Sequence, residues 1–321
     1  MSLFVGKEEQ REALFMIIDS TYKSANERDT IYAWIYTPIA KPKGIVQVMH
    51  GYLEHSRRYL PLIMRLTAAG YIVCASDHIG HGKTAEANGT WGDFGDKGFS
   101  TATADEYQLT QIAQDKFGPL PVFLFGHSWG SLIARDYAAQ HPVKAAVFCG
   151  TLRPFGNMPK LRPILQERIT KAEGSVQDPA IIGELFEGMT ERYDNAPNGN
   201  EWVAISQDVM ADYAADPYNN LTVPPTIQAI ADLIELTYHV NDPAWFTAIP
   251  ATLPMHFIAG DQDPAGLYGE GVYHIANNLI STGHEAVSVK LYPGYRHEIH
   301  NEPELAEEVA EDVIRFFTAN T

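Results

Sequence analysis

The chain has 321 residues, 45% of them hydrophobic and 20% charged, which is enough for one large globular domain with or without an inserted segment. Its formal net charge of −17 argues against nucleic acid as a partner and against a strong electrostatic hold on anionic membranes. No apolar run approaches the roughly 18 residues that a membrane helix needs, so no integral membrane segment is expected.

The N-terminal stretch MSLFVGKEEQREALF has neither a basic n-region nor a clean apolar h-region, which predicts that there is no secretory signal. The two cysteines, Cys74 and Cys149, each lie inside an apolar run. They are therefore expected to be buried, unbridged side chains in a reducing compartment. Together these features predict a cytoplasmic protein.

The first half of the chain alternates predicted strands with predicted helices. Apolar runs predict strands over 30–37, 44–50, 71–78, 121–128 and 143–150. Helical spacing of apolar residues predicts helices over 59–69, 102–115 and 130–140, with Gly70 ending the first. This alternation, at intervals of roughly 20 to 30 residues, is typical of a parallel sheet with helices on both faces.

The alternation stops at residue 151, and helical patterns without a convincing strand continue to about residue 248. The clearest helices there are predicted over 159–170 and 223–240. Strands at 254–260 and 287–293 then flank a helix at 268–281. A last helix carries an apolar face formed by Leu305, Val309, Val313, Ile314 and Phe317. We therefore predict an α/β core formed by residues 1–150 and 249–321, with a helical insertion at 151–248.

The predicted strand over 121–128 runs directly into the sequence Gly126-His127-Ser128-Trp129-Gly130. A strand, a G-x-S-x-G turn and a helix in this order predict a nucleophile elbow, in which the serine has a strained backbone at a helix N-terminus. The glycines are expected where side chains would collide with the neighbouring strand and helix. The bare motif arises by chance in roughly one in ten chains of this length, so its context carries the interpretation.

A serine nucleophile needs a base, and the base needs an acid that orients it, in the chain order Ser, acid, His. Asp261 and Asp263 follow the strand at 254–260, and His297 and His300 follow the last strand. Ligands meet parallel sheets at this end of the strands. The residues alone leave both pairs open, and any one of them could instead cap a turn or lie on the surface.

Further motifs resemble the monoglyceride lipase, lysophospholipase and serine aminopeptidase branch of the α/β-hydrolases. HGYLEHSRR at 50–58 is similar to H-G-x-x-E-H-S-x-R, and DHIGHG at 77–82 is similar to D-x-x-G-H-G. AGDQDPAG, which begins at Ala259, and RHEIHNE at 296–302 match the motifs G-x-x-D-P-x-G and R-H-E-x-x-N-E. ISQDVMADYAADP at 205–217 resembles the cap stretch of the bacterial lipases. The resemblance spans nearly the whole chain and implies an α/β-hydrolase fold, with a mostly parallel central sheet and an inserted helical cap.

The resemblance also implies a catalytic triad, in which Ser128 is the nucleophile, Asp263 the acid and His297 the base. It favours Asp263 over Asp261 because the family acid precedes proline. It favours His297 over His300 because the family histidine follows arginine and precedes glutamate.

The oxyanion hole implied by the resemblance is formed by the backbone N–H groups of Tyr52 and Trp129. Tyr52 departs from the small residue often found at its position, which is expected to narrow the acyl site. His300 departs from a commonly apolar position, and the sequence offers no role for it.

Four further histidines, His50, His55, His78 and His81, lie in two loops. Their spacing fits no helix-based pair of metal ligands, and HEIH is not H-E-x-x-H. Hydrogen bonding around the oxyanion loop is expected of them, and no metal. Asp77 is expected to hold its own glycine-rich turn, and His127 to pack within the elbow.

These features predict a serine hydrolase that cleaves a small-molecule ester with an apolar acyl chain through an acyl-enzyme, without metal or organic cofactor. A serine aminopeptidase is the main alternative, and it would need carboxylates in the cap such as Glu184, Glu187, Glu191 and Asp194. A non-catalytic binding protein is the third hypothesis, and an intact Ser, Asp and His set speaks against it. A dehalogenase would need aspartate at position 128.

The cap could also make transient contact with lipid. An apolar stripe on the first cap helix would either pack in the core or form a lipid-facing entrance; it consists of Met158, Leu161, Ile164, Leu165 and Ile169.

Overall fold

A computed structural model describes residues 16–193, 196–197 and 199–321. Its centre is a sheet of eight strands in the order β1-β2-β4-β3-β5-β6-β7-β8. The strands are β1 (Met16–Lys23), β2 (Thr30–Thr37), β3 (Ile45–Met49), β4 (Ile72–Asp77), β5 (Val122–His127), β6 (Ala145–Cys149), β7 (Met255–Gly260) and β8 (Val287–Tyr292). β2 pairs antiparallel with β1 and with β4, and every other neighbouring pair is parallel, which confirms the predicted sheet.

Helices precede, connect and follow these strands. They are α1 (Leu60–Ala68), α2 (Gly82–Asn88), α3 (Ser100–Phe117), α4 (Trp129–Gln140), α5 (Met158–Thr170), α6 (Pro179–Leu185), α7 (Gln207–Ala215), α8 (Ile227–His239), α9 (Pro243–Ala248), α10 (Glu270–Ser281) and α11 (Ala306–Ala319). A short 3-10 helix, Ser56–Tyr59, leads into α1. In the described part of the chain, no helix combines the length and apolar character needed to span a bilayer.

Every predicted strand and helix is present, with ends that differ by a few residues. β1 was not predicted because it is an edge strand whose side chains are mostly exposed, so it carries no apolar alternation. α2 was not predicted because it is only seven residues long and starts at a glycine. The N-terminal stretch from which no secretory signal is predicted, residues 1–15, lies outside the described residues.

Apolar layers cover both faces of the sheet. On one face, Val46 and Val48 pack in a cluster that also contains Val309 and Phe317 of α11. On the other face, Ile45 belongs to a second cluster with side chains of α3, α4 and α10. Cys74 and Cys149 are buried and unbridged, as predicted. The central parallel strands are buried on both faces, which explains why they are nearly continuous apolar runs.

Helices α5 to α9 lie in the chain between β6 and β7. Met158, Leu161 and Leu165 of α5 are fully buried, and Ile169 is partly buried against the same core. Ile164 is the exposed member of the predicted stripe, at 38%. Core packing is therefore confirmed for most of this stripe, and α5 is not a continuous lipid-facing surface.

Arg135 of α4 contacts the chain on both sides of this helical segment. Its guanidinium donates to the carbonyl of Leu152 at 3.1 Å and to the carbonyl of Val240. The same group lies 4.5 Å from the ring centre of Trp245. Burial lowers the pKa of Arg135 to about 9. One buried side chain thus ties both ends of the helical segment to the helix that follows Ser128.

Candidate active site

Ser128 lies in a one-residue turn between β5, which ends at His127, and α4, which begins at Trp129. Its backbone angles are φ 54° and ψ −121°, a conformation that residues other than glycine rarely adopt. A Cβ atom on Gly126 would lie 2.4 Å from the Gly130 carbonyl oxygen, and one on Gly130 would lie 2.1 Å from the Met49 carbonyl oxygen. The glycines are therefore required by close backbone approach, as predicted.

The residues after β7 and β8 place a carboxylate against an imidazole. His297 Nδ1 lies 2.8 Å from Asp263 Oδ2, and both side chains are buried. The other oxygen, Asp263 Oδ1, accepts from the Ala265 N–H at 2.9 Å. This pairing assigns the Nδ1 proton to the carboxylate side and leaves Nε2 as the acceptor.

The pKa of His297 reflects two opposing effects. Burial alone would lower it, but the charge of Asp263 and its hydrogen bond to the ring outweigh burial and raise the pKa above its ordinary value. Nε2 of His297 has no hydrogen-bond partner among the described residues. Ser128 and His297 line the same cavity, so a free basic nitrogen and the serine hydroxyl open onto one space.

The two alternative residues have other contacts. Asp261 Oδ1 accepts from the Gly294 N–H at 2.7 Å and so stabilises the turn after β8. His300 is buried and stacks on the ring of Tyr59, with 4.6 Å between ring centres. Neither residue lines the cavity that contains Ser128.

The loop after β3 brings a second backbone N–H group near the elbow. The N–H groups of Tyr52 and Trp129 have no intramolecular acceptor in the described part of the chain. Gly51 N–H donates to Glu54 Oε1 at 2.6 Å, and Leu53 has a positive φ of 58°. A tight, hydrogen-bonded turn therefore leaves the Tyr52 N–H free, as an oxyanion donor must be.

Two histidines, His50 and His81, form hydrogen bonds with the backbone of the loop after β3. His81 Nε2 accepts from the Leu53 N–H at 3.1 Å, and burial lowers the pKa of His81 to about 3, so its ring stays neutral. His50 Nδ1 lies 2.7 Å from the Gly51 carbonyl oxygen, while its Nε2 accepts from the His78 N–H at 2.9 Å. The predicted hydrogen-bonding role is thus confirmed for His50 and His81.

The other polar residues of these motifs also bind across loops. Asp77 accepts from the Lys83 N–H of its own turn at 2.7 Å and from the Ser56 N–H at 2.9 Å. His55 Nε2 lies 2.8 Å from Asp216 Oδ2 of the helical segment.

His127 does more than pack, which corrects the sequence-based interpretation. Its Nδ1 lies 2.7 Å from the Tyr59 hydroxyl oxygen, and its Nε2 lies 3.2 Å from the His297 carbonyl oxygen. The elbow is therefore joined to the loop that carries His297. Ligand atoms of His127, Cys149 and His300 lie within 4.8 Å of one another. Because both ring nitrogens of His127 already have hydrogen-bond partners, we assign no metal to this cluster.

The cavity in front of Ser128 has a volume of about 330 Å³. Most of its wall is apolar or aromatic, including Leu152, Phe155, Phe186, Trp202, Val203, Leu221 and Leu233. The Trp202 ring lies 5.0 Å from the ring of His297 and 5.7 Å from that of Phe186. Tyr52, the predicted departure from a small residue, also lines this space. Such a wall fits an apolar chain better than a charged ligand.

The segment around Trp202 is hydrogen-bonded to the loop that carries His297. Glu298 N–H donates to the Val203 carbonyl at 2.8 Å, and Arg296 donates to the Ala204 carbonyl at 3.0 Å. Glu302 accepts from the Ser206 N–H at 3.2 Å. These bonds keep the aromatic wall of the cavity in place over the imidazole.

Replacing His300 by phenylalanine is expected to leave the protein at least as stable, with a gain of about 1 kcal/mol in the free energy of unfolding at pH 7.5. Both ring nitrogens of His300 are buried without a hydrogen-bond partner in the part of the chain that the structure describes, and phenylalanine keeps the stacking on Tyr59. Burial lowers the pKa of His300 in the folded protein well below its ordinary value. At a pH between this lowered pKa and the ordinary pKa of the unfolded chain, His300 is protonated only in the unfolded chain, and this protonation favours unfolding.

The gain from His300→Phe should therefore be larger at pH 5.0 than at pH 7.5. Urea unfolding of both proteins at these two pH values measures the difference. A loss of more than about 1 kcal/mol in the variant would show that a His300 nitrogen holds a stabilising hydrogen bond.

The mostly parallel sheet, the strained serine between strand and helix, and the histidine–carboxylate pair beyond the next strands define a serine hydrolase with the α/β-hydrolase fold. The sequence profile of the family described as serine aminopeptidase, S33, matches residues 40–304. The chain belongs to this family.

Lipases and an esterase are similar to this chain over most of its length. It is 30% identical over 272 residues to a monoacylglycerol lipase of Mycolicibacterium smegmatis, which is 84% of this chain and 86% of that protein. A highly thermostable carboxyl esterase from Bacillus coagulans, solved in complex with glycerol, is 45% identical with a TM-score of 0.93, and the match covers 96% of this chain and 99% of the esterase. A lipase solved in an open form is 35% identical with a TM-score of 0.88, covering 94% of this chain and 98% of the lipase.

Proposed function

We propose that this protein is a carboxylic ester hydrolase that cleaves esters of single-chain lipids, such as monoacylglycerols or lysophospholipids, through an acyl-enzyme on Ser128. The observation that carries the proposal is the His297–Asp263 pair, 2.8 Å apart, whose free Nε2 shares a largely apolar cavity with Ser128. The names of the relatives, a monoacylglycerol lipase and a carboxyl esterase, support the same class of substrate.

In the proposed mechanism, His297 Nε2 takes the proton of the Ser128 hydroxyl as its oxygen attacks the ester carbonyl. The N–H groups of Tyr52 and Trp129 stabilise the oxyanion, and Asp263 stabilises the imidazolium. His297 then gives the proton to the departing alcohol. Water that loses a proton to His297 then attacks the acyl carbonyl. The bond to the Ser128 oxygen breaks, His297 returns the proton to that oxygen, and the carboxylic acid is released.

We also propose that residues 151–248 act as a cap on the core formed by residues 1–150 and 249–321. Phe155, Phe186, Trp202 and Leu221 of this segment line the cavity, so it would exclude water from the acyl-enzyme. Large apolar side chains of the cap are also exposed, at 38% to 42% for Ile164, Val176, Ile205 and Leu221. They are the side chains through which the cap would touch lipid.

The cavity offers little support for the aminopeptidase alternative. An N-terminal ammonium group needs an uncompensated carboxylate, but the carboxylates among the described residues that line the cavity, Glu54 and Glu298, both bind Arg58. Glu184, Glu187 and Glu191 do not line the cavity, and Glu184 pairs with Lys160. Asp194 lies outside the described residues.

The proposal is tested by initial rates on a matched panel of p-nitrophenyl esters with acyl chains of two to sixteen carbons, monoacylglycerols, lysophospholipids and aminoacyl-anilides. We expect kcat/KM to rise with chain length until the cavity is filled, because each buried methylene adds about 0.8 kcal/mol, or roughly fourfold. Esters should be cleaved and anilides should not.

Fast hydrolysis of anilides with inert esters would instead assign the protein to the peptidases. Failure to cleave any member of the panel, together with failure to react with a serine-directed phosphonate, would favour a binding protein with a hydrolase fold.

A further inference from the structure

Arg58, in the short helix before α1, lies buried between the two loops that supply the proposed oxyanion hole and the proposed base. Nη1 and Nη2 donate to the two carboxylate oxygens of Glu298 at 2.5 and 2.8 Å, and Nη1 also donates to Glu54 Oε2 at 2.9 Å. We propose that Arg58 is a positioning residue that holds these two loops in register for the ester hydrolysis proposed above, on which this inference rests.

On one side, Arg58 acts through Glu54. The second oxygen of this carboxylate, Oε1, accepts from the Gly51 N–H at 2.6 Å and from the Tyr59 hydroxyl at 2.6 Å. Gly51 directly precedes Tyr52, whose N–H is the proposed oxyanion donor. The Glu54 carboxylate thus sets the turn that aims the donor, and Arg58 fixes that carboxylate.

On the other side, Arg58 acts through Glu298, the residue that follows the proposed base. The bidentate contact has the geometry in which guanidinium and carboxylate bind most specifically. Glu298 N–H donates to the Val203 carbonyl at 2.8 Å, and its Oε2 accepts from Asn301 at 2.9 Å. The loop that carries His297 is therefore held at both backbone and side chain.

A helix of the proposed cap also contacts the Arg58 guanidinium. The guanidinium of Arg58 lies 4.8 Å from the centre of the Tyr213 ring in α7. The Tyr213 hydroxyl donates to the Leu53 carbonyl at 3.2 Å, beside Tyr52. The Arg58 guanidinium thus contacts three segments: the loop after β3 that carries Tyr52, the loop after β8 that carries His297, and helix α7.

Arg58 also offsets charge at the base. Among the described residues, the titratable side chains that interact with His297 from neighbouring segments are Asp263, Glu298, Glu54, His127 and His300, and Arg58 interacts with Glu54, Glu298 and His300. Glu298 and Glu54 both raise the pKa of His297, and Arg58 is the cation bound to both of them. Losing Arg58 would leave these carboxylates uncompensated and raise the pKa of the base, whereas losing the Glu298 charge would lower it.

The test compares Arg58→Lys, Arg58→Met and Glu298→Gln with a surface control, Arg65→Met, whose ion pair with Glu307 is exposed. The pH profiles of kcat and kcat/KM are measured on p-nitrophenyl octanoate, with circular dichroism and thermal unfolding of each variant. We expect kcat to fall about 10- to 100-fold in Arg58→Met and Glu298→Gln, with KM within about threefold, because misplaced groups cost transition-state stabilisation rather than binding.

The acid limb of kcat/KM should move to higher pH in Arg58→Met and to lower pH in Glu298→Gln, by about half a pH unit or more. Arg58→Lys keeps the charge without the bidentate geometry, so its acid limb should stay in place while kcat remains reduced. Arg65→Met should behave as the unmodified protein.

Wild-type kcat and an unmoved acid limb in Glu298→Gln would overturn the proposal, even if Arg58→Met fails to fold. Equal losses with unmoved acid limbs in all three variants would also overturn it, since they would indicate a structural role alone. If the unmodified protein cleaves no ester of the panel, the proposed function fails instead, and this is seen before any variant is measured.

Discussion

Replacing Ser128 by alanine is expected to lower kcat for ester hydrolysis by about 10⁶-fold while the fold is retained. The Ser128 hydroxyl is the proposed nucleophile, because it shares the cavity with the unpartnered Nε2 of His297 and lies beside the N–H groups proposed as oxyanion donors. The hydroxyl makes no hydrogen bond in the described structure, so its removal should change the free energy of unfolding by less than about 1 kcal/mol. Initial rates and urea unfolding measure both effects.

Ser128→Gly provides the matched control for this experiment. Glycine adopts the φ of 54° at Ser128 without steric cost, so this variant should be inactive but more stable than Ser128→Ala by about 1 kcal/mol or more. Ester turnover above about one per cent in a correctly folded Ser128→Ala protein would rule out Ser128 as the nucleophile.

Replacing Asp263 by asparagine is expected to lower kcat about 10⁴-fold. The Ala265 N–H, 2.9 Å from Oδ1, favours the amide oxygen on that side, so the new NH₂ group faces His297 Nδ1. Nδ1 must then be the acceptor, which places the ring proton on Nε2, where it blocks proton transfer from Ser128. Asp263 also raises the pKa of His297, so the acid limb of residual activity should move to lower pH.

Asp261→Asn is the matched control for Asp263→Asn, two residues away in the same loop. Asp261 accepts from the Gly294 N–H and does not line the cavity, so its loss should change kcat by less than about threefold. A large loss of kcat in Asp261→Asn, with Asp263→Asn active, would reverse the assignment of the acid.

The sequence predicted those parts of the site that depend on local patterns. A buried strand that runs into G-x-S-x-G must turn sharply, and the close contacts at Gly126 and Gly130 show why. The residues after the last two strands had to lie at the same sheet edge, because parallel strands end together there. The resemblance distinguished Asp263 from Asp261 and His297 from His300, which the residues alone did not.

The contacts that join distant segments could not be read from the sequence. Arg58 and Glu298 are 240 positions apart, and no periodicity links them. The sequence predicts a packing role for His127, whereas its ring contacts the Tyr59 hydroxyl on one side and the His297 carbonyl on the other. Such pairs depend on the order of strands in the sheet, in which β3 and β5 are neighbours although β4 lies between them in the chain.

The sheet explains why residues from four loops meet at one site. Tyr52, Ser128, Asp263 and His297 follow β3, β5, β7 and β8, and each lies beyond the carboxyl end of its strand. Rigid strands fix the starting points of these loops, and buried polar groups such as Glu54, His81 and Glu298 fix their conformations. The chemistry proposed for the site thus depends on backbone N–H groups and one imidazole held by the fold.

The most direct measurement of the central proposal is labelling with a single-chain p-nitrophenyl alkylphosphonate, followed by peptide mass mapping. The proposal predicts release of one equivalent of p-nitrophenolate per chain, loss of ester hydrolysis in parallel, and a phosphonate adduct on Ser128 that is absent from Ser128→Ala. An adduct on another residue, or full hydrolysis after stoichiometric labelling, would contradict an acyl-enzyme mechanism at Ser128.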